Sequence, residues 1–219
     1  PMPRAYTPRE MLEKLVGFDT TCTGSNLDLI DFVRDWLAEW GIEATVIPNE
    51  TGDKAALYAS VGPAVEGGVI LSGHTDVVPV DGQDWSSDPW TVREDSGKLF
   101  GRGVADMKGF IGAVLALVPE FAAAPLKSPL HFAFSFDEEV GCVGVRSLLD
   151  DLRKQGIKPT LAIIGEPTEM RVVGAHKAGA VAVTGVKGRE GHSSTPARGA
   201  NAVMMAGEFI SVISEIGKE

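Results

Sequence analysis

Two hydrophobic periods alternate along this chain. Near the N-terminus Met11, Leu12, Leu15 and Val16 recur at helical spacing. They follow Thr7-Pro8-Arg9-Glu10, which has the form of a capping box with proline at the first helical position. Leu29, Ile30, Val33, Trp36, Leu37 and Trp40 form a second helical stripe, with Ser25 as its N-cap and Gly41 at the position that favours glycine after a helix. Residues 42–47 alternate and predict a strand, 49–52 a turn, and 55–61 a second strand. Residues 69–72 are a continuous apolar run, as in a strand covered on both faces. Helical spacing over 105–121, a strand over 130–136, a helix over 143–155 and a buried strand over 161–164 complete the series.

Strands alternating with helices over residues 1–170 predict an α/β fold with a mainly parallel central sheet flanked by helices. The pattern changes near Arg171. Residues 171–175 and 179–186 read as hairpin strands and 201–216 as one helix, which suggests a smaller α+β piece. The expected division is therefore 1–176 and 177–219.

Composition narrows the function classes. Of 219 residues, 44% are hydrophobic and 23% charged, which is ordinary for a globular protein and unlike a disordered chain. The net charge of −10 argues against nucleic acid as a partner, since that would need clustered Lys and Arg. The longest uncharged apolar stretch, 109–119, is too short to span a bilayer, so no membrane partner is expected. The opening Pro1-Met2-Pro3-Arg4 has no apolar signal region. Two cysteines, Cys22 and Cys142, make no disulfide framework, which suits the cytoplasm. Histidine is scarce: His74, His131, His176 and His192 are the full set.

The ends of the apolar strands carry the candidate chemistry, because ligands of open α/β sheets bind beyond the carboxyl ends of the strands. In Ser72-Gly73-His74-Thr75-Asp76, extended backbone points His74 and Asp76 to one side. A neutral imidazole is a good transition-metal ligand, and a nearby carboxylate can fix its tautomer. The plainer reading is a loop histidine beside a helix-capping aspartate. In Gly101-Arg102-Gly103-Val104-Ala105-Asp106-Met107-Lys108-Gly109, Asp106 stands where a dinucleotide fingerprint needs its third glycine, and the plainer reading is an N-cap. Asp137-Glu138-Glu139 ends the strand Phe134-Ser135-Phe136, so two neighbouring acids can hold different roles, against the alternative of a solvated acidic loop. Glu166 follows Ile163-Ile164-Gly165 and precedes Pro167. His74, Asp106, Glu139 and Glu166 are thus candidate ligands, with Asp76 and Glu138 behind them. So many carboxylates in one pocket repel each other without cations. A mixed histidine and carboxylate set suits zinc, with cobalt or manganese as alternatives. The sequence contains no G-x-S-x-G, H-E-x-x-H, Walker A or C-x-x-C pattern.

In this order, Ser72 to Pro79, Gly103 to Gly109, Asp137 to Gly141 and Gly165 to Thr168 resemble the motifs of the co-catalytic zinc aminoacylase/carboxypeptidase family. Residues 188–202, with Gly191-His192-Ser193-Ser194, resemble the start of that family's ferredoxin-like lid or dimerisation domain. The resemblance implies two divalent metal ions bridged by Asp106, with His74 and Glu166 on one and Glu139 on the other. Asp76 would orient His74, and Glu138 would be the general base that takes a proton from the attacking water. His192 would reach into a partner protomer's site and stabilise the oxyanion. The peptide after Asp106 would be cis. The implied enzyme is a homodimeric hydrolase of linear amide bonds acting on a small N-acyl amino acid, nearest to members that deacetylate N-acetyl-L-ornithine in arginine biosynthesis. Desuccinylase, dipeptidase and carboxypeptidase relatives stay open as alternatives. The resemblance also implies a further histidine ligand that this chain does not match, and hence a C-terminally truncated chain whose own turnover is open. His131, inside an apolar strand, reads as structural, and His176 as a hinge or packing residue.

Overall fold

A computed structural model describes residues 4–175, 177 and 181–218. The chain forms two compact units, Pro1–Val172 and Val173–Glu219.

The first unit is a mixed α/β layer structure. Helix α1 (Pro8–Val16) starts at Thr7, whose side chain accepts from the Glu10 N–H while Glu10 reaches back to the Thr7 N–H, so the expected box forms in full. Helix α2 (Leu27–Glu39) has Asn26 at its N-cap position, one residue after the expected Ser25; the Ser25 hydroxyl accepts from the Leu27 N–H at 3.2 Å, and the Asn26 side-chain amide makes no cap bond. That amide is used elsewhere: it accepts from the Ala55 N–H at 2.9 Å and donates to the Ala55 carbonyl at 2.8 Å. Strands β1 (Ala44–Pro48) and β2 (Ala55–Val61) are a hairpin, and β3 (Val69–His74) follows. A short hairpin, β4 (Arg93–Asp95) with β5 (Lys98–Phe100), was not anticipated, although Ser96-Gly97 at its tip is a turn signal. Helix α3 (Lys108–Ala116) ends where one longer helix was expected, and α4 (Val118–Ala123) begins afresh. Pro119 explains the break, since it has no N–H to give and its ring crowds the preceding turn. Strand β6 (Leu130–Ser135), helix α5 (Gly144–Lys154) and strand β7 (Leu161–Ile164) complete the unit.

The five-stranded sheet runs β1-β2-β6-β3-β7. Parallel pairing is confined to β6, β3 and β7; β1 and β2 pair antiparallel as a hairpin, and β2 also runs antiparallel to β6. Alternation decides the layers. Leu57, Phe132 and Phe134 face the core with α1, α2, α3 and α4, whereas Tyr58, Ala133 and Ile70 face α5 through Leu148 and Leu152. His131 faces the α5 side, with Nδ1 2.7 Å from the Tyr58 hydroxyl and Nε2 3.1 Å from the Gly67 carbonyl. Both ring nitrogens are therefore engaged away from the acidic strand ends.

Strand β7 corrects one expectation. It was read as buried, yet Leu161, Ile163 and Ile164 are exposed, because β7 pairs only with β3 and nothing among the described residues covers it. The second unit departs further. No strand forms among the described residues of 171–175 and 179–186, where Val172, Val181 and Val183 are fully solvated. An isolated hairpin without a sheet or helix to pack on is marginal at best. His176 lies outside the described residues. The unit does contain helix α6 (Ala202–Ile216), started by the Asn201 side chain, and a single bridge between Arg189 and Ala200. No helix among the described residues is long and apolar enough to cross a membrane.

Gly165, at the exit of β7, has no room for a side chain: an added Cβ would enter the Phe110 ring of α3. Gly165→Ala is expected to destabilise the chain by about 1–3 kcal/mol through overpacking, measured by urea unfolding.

Candidate metal centre

The three parallel strands end together, and their registers set the site. His74 pairs with Ser135, and Ser72 pairs with Ile164, so the residues after β6 and β7 emerge beside His74. Asp106 arrives from the segment between β5 and α3. Its plainer reading as a helix cap does not hold, because Met107 takes the N-cap position of α3 with no side-chain cap bond. The Asp106–Met107 peptide is cis. The Met107 sulfur accepts from the His74 backbone N–H at 3.3 Å, which ties this segment to the end of β3.

His74 forms the floor of the cluster, 2% exposed, with half-exposed acids above it. Its Nε2 lies 3.0 Å from Asp106 Oδ1, 3.6 Å from Glu166 Oε1 and 3.9 Å from Glu138 Oε2. Its Nδ1 lies 2.9 Å from the Asp76 carbonyl and 3.5 Å from Asp76 Oδ1. Asp76 is buried behind the imidazole and accepts the Glu138 N–H at 3.2 Å and the Glu139 N–H at 3.1 Å. Asp137, at φ +55°, turns the chain sharply after β6 so that both amides face Asp76.

Two groups have donor atoms within 4.8 Å of one another: His74 with Asp106 and Glu139, and His74 with Glu138 and Glu166. The structure thus brings His74, Asp76, Asp106, Glu138, Glu139 and Glu166 together. Glu138 stands with Glu166 in one group, and Glu139 with Asp106 in the other. His192 belongs to the second unit, where it is exposed and its Nδ1 accepts the Ser194 N–H at 3.2 Å.

The charge balance is what a cation site requires. Burial raises the Glu139 and Glu166 pKa values above the ordinary carboxylate range, and the Asp106 charge adds to the rise in both. Burial opposes the charge on His74, but the Asp76 carboxylate and carbonyl and the Glu166 charge outweigh it, raising the imidazole to about 9. Burial also opposes the Asp76 charge, but hydrogen bonds from His74 and from the Glu138 and Glu139 amides hold its pKa low. A single imidazole ringed by oxygen donors, in a pocket whose acids resist joint ionisation, fits one or more divalent transition metals.

Sequence reasoning passed over two lysines. Lys108 is 0% exposed, among the largest fully buried side chains of the described residues, and donates to the Phe18 carbonyl at 2.7 Å. Burial lowers its pKa to about 7, against the opposing pull of Asp19. Lys54 bridges the Cys22 carbonyl at 2.7 Å and Asp137 Oδ1 at 2.5 Å. The only signal for Lys108 was its place two residues after Asp106, and for Lys54 there was none.

Comparison with known proteins identifies the family. The profile of Peptidase family M20/M25/M40 matches residues 70–218. An acetylornithine deacetylase of Shigella sonnei (strain Ss046) is 39% identical over 193 residues, covering 88% of this chain and 49% of that protein. The chain therefore spans about half the length of the curated relative it matches. Among solved structures, an M20 family metallo-carboxypeptidase from Sulfolobus solfataricus aligns with a TM-score of 0.64 at 19% identity, over 73% of this chain and 37% of that one. Human carnosine dipeptidase 1 aligns with a TM-score of 0.62 at 24% identity, over 72% of this chain and 38% of that one. These two likenesses speak to the fold alone. Profile, relative and strand-end cluster converge, and the chain belongs to Peptidase family M20/M25/M40.

Proposed function

We propose that this chain carries the metal-binding portion of an amidohydrolase that converts N-acetyl-L-ornithine and water to ornithine and acetate, a reaction of arginine biosynthesis in the cytoplasm. The observation that carries the hydrolase reading is the gathering of His74, Asp106, Glu138, Glu139 and Glu166 at one end of the parallel strands. The deacetylase identity of the relative, 39% over most of this chain, supports the substrate. Residues 1–176 would serve as the catalytic domain and 177–219 as part of a lid through which the protein forms a homodimer.

His74, Asp106 and Glu166 would hold one metal, and Asp106 with Glu139 would contribute to a second. Zinc suits this donor set best, with cobalt and manganese acceptable. When bound, such ions polarise an amide carbonyl and lower the pKa of an attacking water. Glu138 accepts one proton from that water and passes it to the leaving nitrogen as the C–N bond breaks, and the second water proton follows from the new carboxyl group, so the products are an ammonium and a carboxylate. Asp76 keeps the His74 ring in the tautomer that leaves Nε2 free to ligate, by accepting at Nδ1. His192 donates to the oxyanion, acting from the partner protomer.

Glu138→Gln is expected to lower kcat on N-acetyl-L-ornithine by about 10²–10⁴-fold while metal content is retained, in the full-length enzyme. Unchanged turnover would remove Glu138 from the base role. Turnover of N-acetyl-L-ornithine should exceed that of N-succinyl-diaminopimelate and of simple dipeptides; the reverse order would assign the substrate to a sibling enzyme. Metal binding should also release protons. His74, Glu139 and Glu166 all hold their protons to higher pH than usual without a cation, so affinity should climb as pH rises toward 9. Calorimetry at pH 7 in buffers of different ionisation enthalpy should show about one or more protons released per bound ion.

A further inference from the structure

Three of the parts of the first unit that carry the clustered side chains meet on the short segment 18–22: the Asp106 segment, the Asp137–Glu139 turn and the chain after β3. Its first carbonyl, that of Phe18, accepts from Lys108 at 2.7 Å, and Lys108 follows Asp106 by two residues. Its last carbonyl, that of Cys22, accepts from Lys54 at 2.7 Å, and the same ammonium holds Asp137, which leads into Glu138 and Glu139. Its middle is laced to the end of β3. The Thr20 hydroxyl donates to the Thr75 carbonyl at 2.6 Å, the Val77 N–H donates to the Thr20 carbonyl at 3.1 Å, and the Cys22 N–H donates to the Val77 carbonyl at 2.9 Å.

The placement of Lys108 is costly by ordinary rules. A cation in the first turn of a helix opposes the helix dipole, and a fully buried ammonium loses its hydration. Its neighbours Met107 and Ile111 show that an apolar side chain could fill such a space. An ammonium offers what they do not: a directed, charge-assisted hydrogen bond across to the Phe18 carbonyl, with the Trp90 ring 5.8 Å away on another side. The Gly103 position confirms the tight fit, since a Cβ there would meet the Lys108 methylenes at 3.0 Å and Val77 at 2.9 Å.

We propose that Lys108 and Lys54 are positioning residues that use the 18–22 segment as a common brace, fixing Asp106 and the Glu138-Glu139 turn at metal-ligating distance from His74. This rests on reading the acid cluster as a metal centre. The brace has a simple logic. Carboxylates crowded around one imidazole push apart; Lys108 ties the chain just after Asp106 to the Phe18 carbonyl, and Lys54 ties the Asp137 carboxylate at the head of the acidic turn to the Cys22 carbonyl, neither occupying a ligand position.

The test is Co²⁺ titration of the 219-residue chain by calorimetry and visible absorption, for wild type, Asp106→Asn, Lys108→Met, Lys54→Met and Thr20→Val. Circular dichroism and thermal melting of the metal-free proteins report the fold. Lys108→Met and Lys54→Met are expected to bind Co²⁺ about 10–100-fold more weakly and to shift its visible bands while keeping the wild-type circular dichroism. Thr20→Val should weaken binding in the same direction, and its effect should be non-additive with that of Lys108→Met, because both act through one segment. If Lys108→Met does not fold, Lys54→Met and Thr20→Val decide the matter. Wild-type affinity and wild-type bands in the folded variants would overturn the brace. Failure of the wild type itself to bind Co²⁺, or unaltered binding by Asp106→Asn, would instead overturn the metal-centre reading on which the brace depends.

Discussion

Asp76 is 2% exposed, and it joins two separate pieces of the protein, the end of β3 and the turn after β6. It stands behind the His74 ring, and its two oxygens take the consecutive amides of Glu138 and Glu139. A buried carboxylate with so many donors stays charged, and a charged Asp76 fixes both the imidazole orientation and the path of the acidic turn. Together with the Lys54–Asp137 ion pair, it holds the turn after β6 beside the end of β3. The cluster is thus backed by a buried, charged group behind its imidazole.

The sheet supplies the rest. Parallel pairing of β6, β3 and β7 delivers three strand ends to one edge, and register places the acid-bearing exits beside His74. Phe132 and Phe134 on one face and Ala133 on the other lock β6 between its helix layers. Close packing then transmits position: Gly165 admits the Phe110 ring, and so the exit carrying Glu166 lies against α3, the helix that follows Asp106. The result is a rigid platform holding mutually repulsive acids, which is a sensible way to store affinity for cations.

Much of this was legible in the sequence, for local reasons. The Thr7–Glu10 box, Gly41 after α2 and the apolar runs of β2 and β7 are each decided within a few residues, and the elements formed there. Acids and a histidine at the ends of apolar strands were equally visible, because a strand end is a local feature with a global address. What stayed hidden is long-range. Asn26 left its cap to serve Ala55 and Thr75, and Lys54 and Lys108 found carbonyls far away in sequence. The burial of β7 could not be read from its own residues, since burial depends on what packs beside a strand. The expected strands after Arg171 failed for the same reason: among the described residues they have no sheet to join.

Asp76 acts on the cluster through the charge and the hydrogen bonds of its buried carboxylate. Zinc titration of Asp76→Asn beside the wild type, on folded protein at pH 7.5 or so, tests it most directly. An amide of the same shape can still face His74 but carries no charge and offers one acceptor oxygen instead of two. Affinity is expected to fall by about 10–100-fold with the fold intact. Zinc affinity equal to that of the wild type would contradict the claim that this buried carboxylate organises the centre.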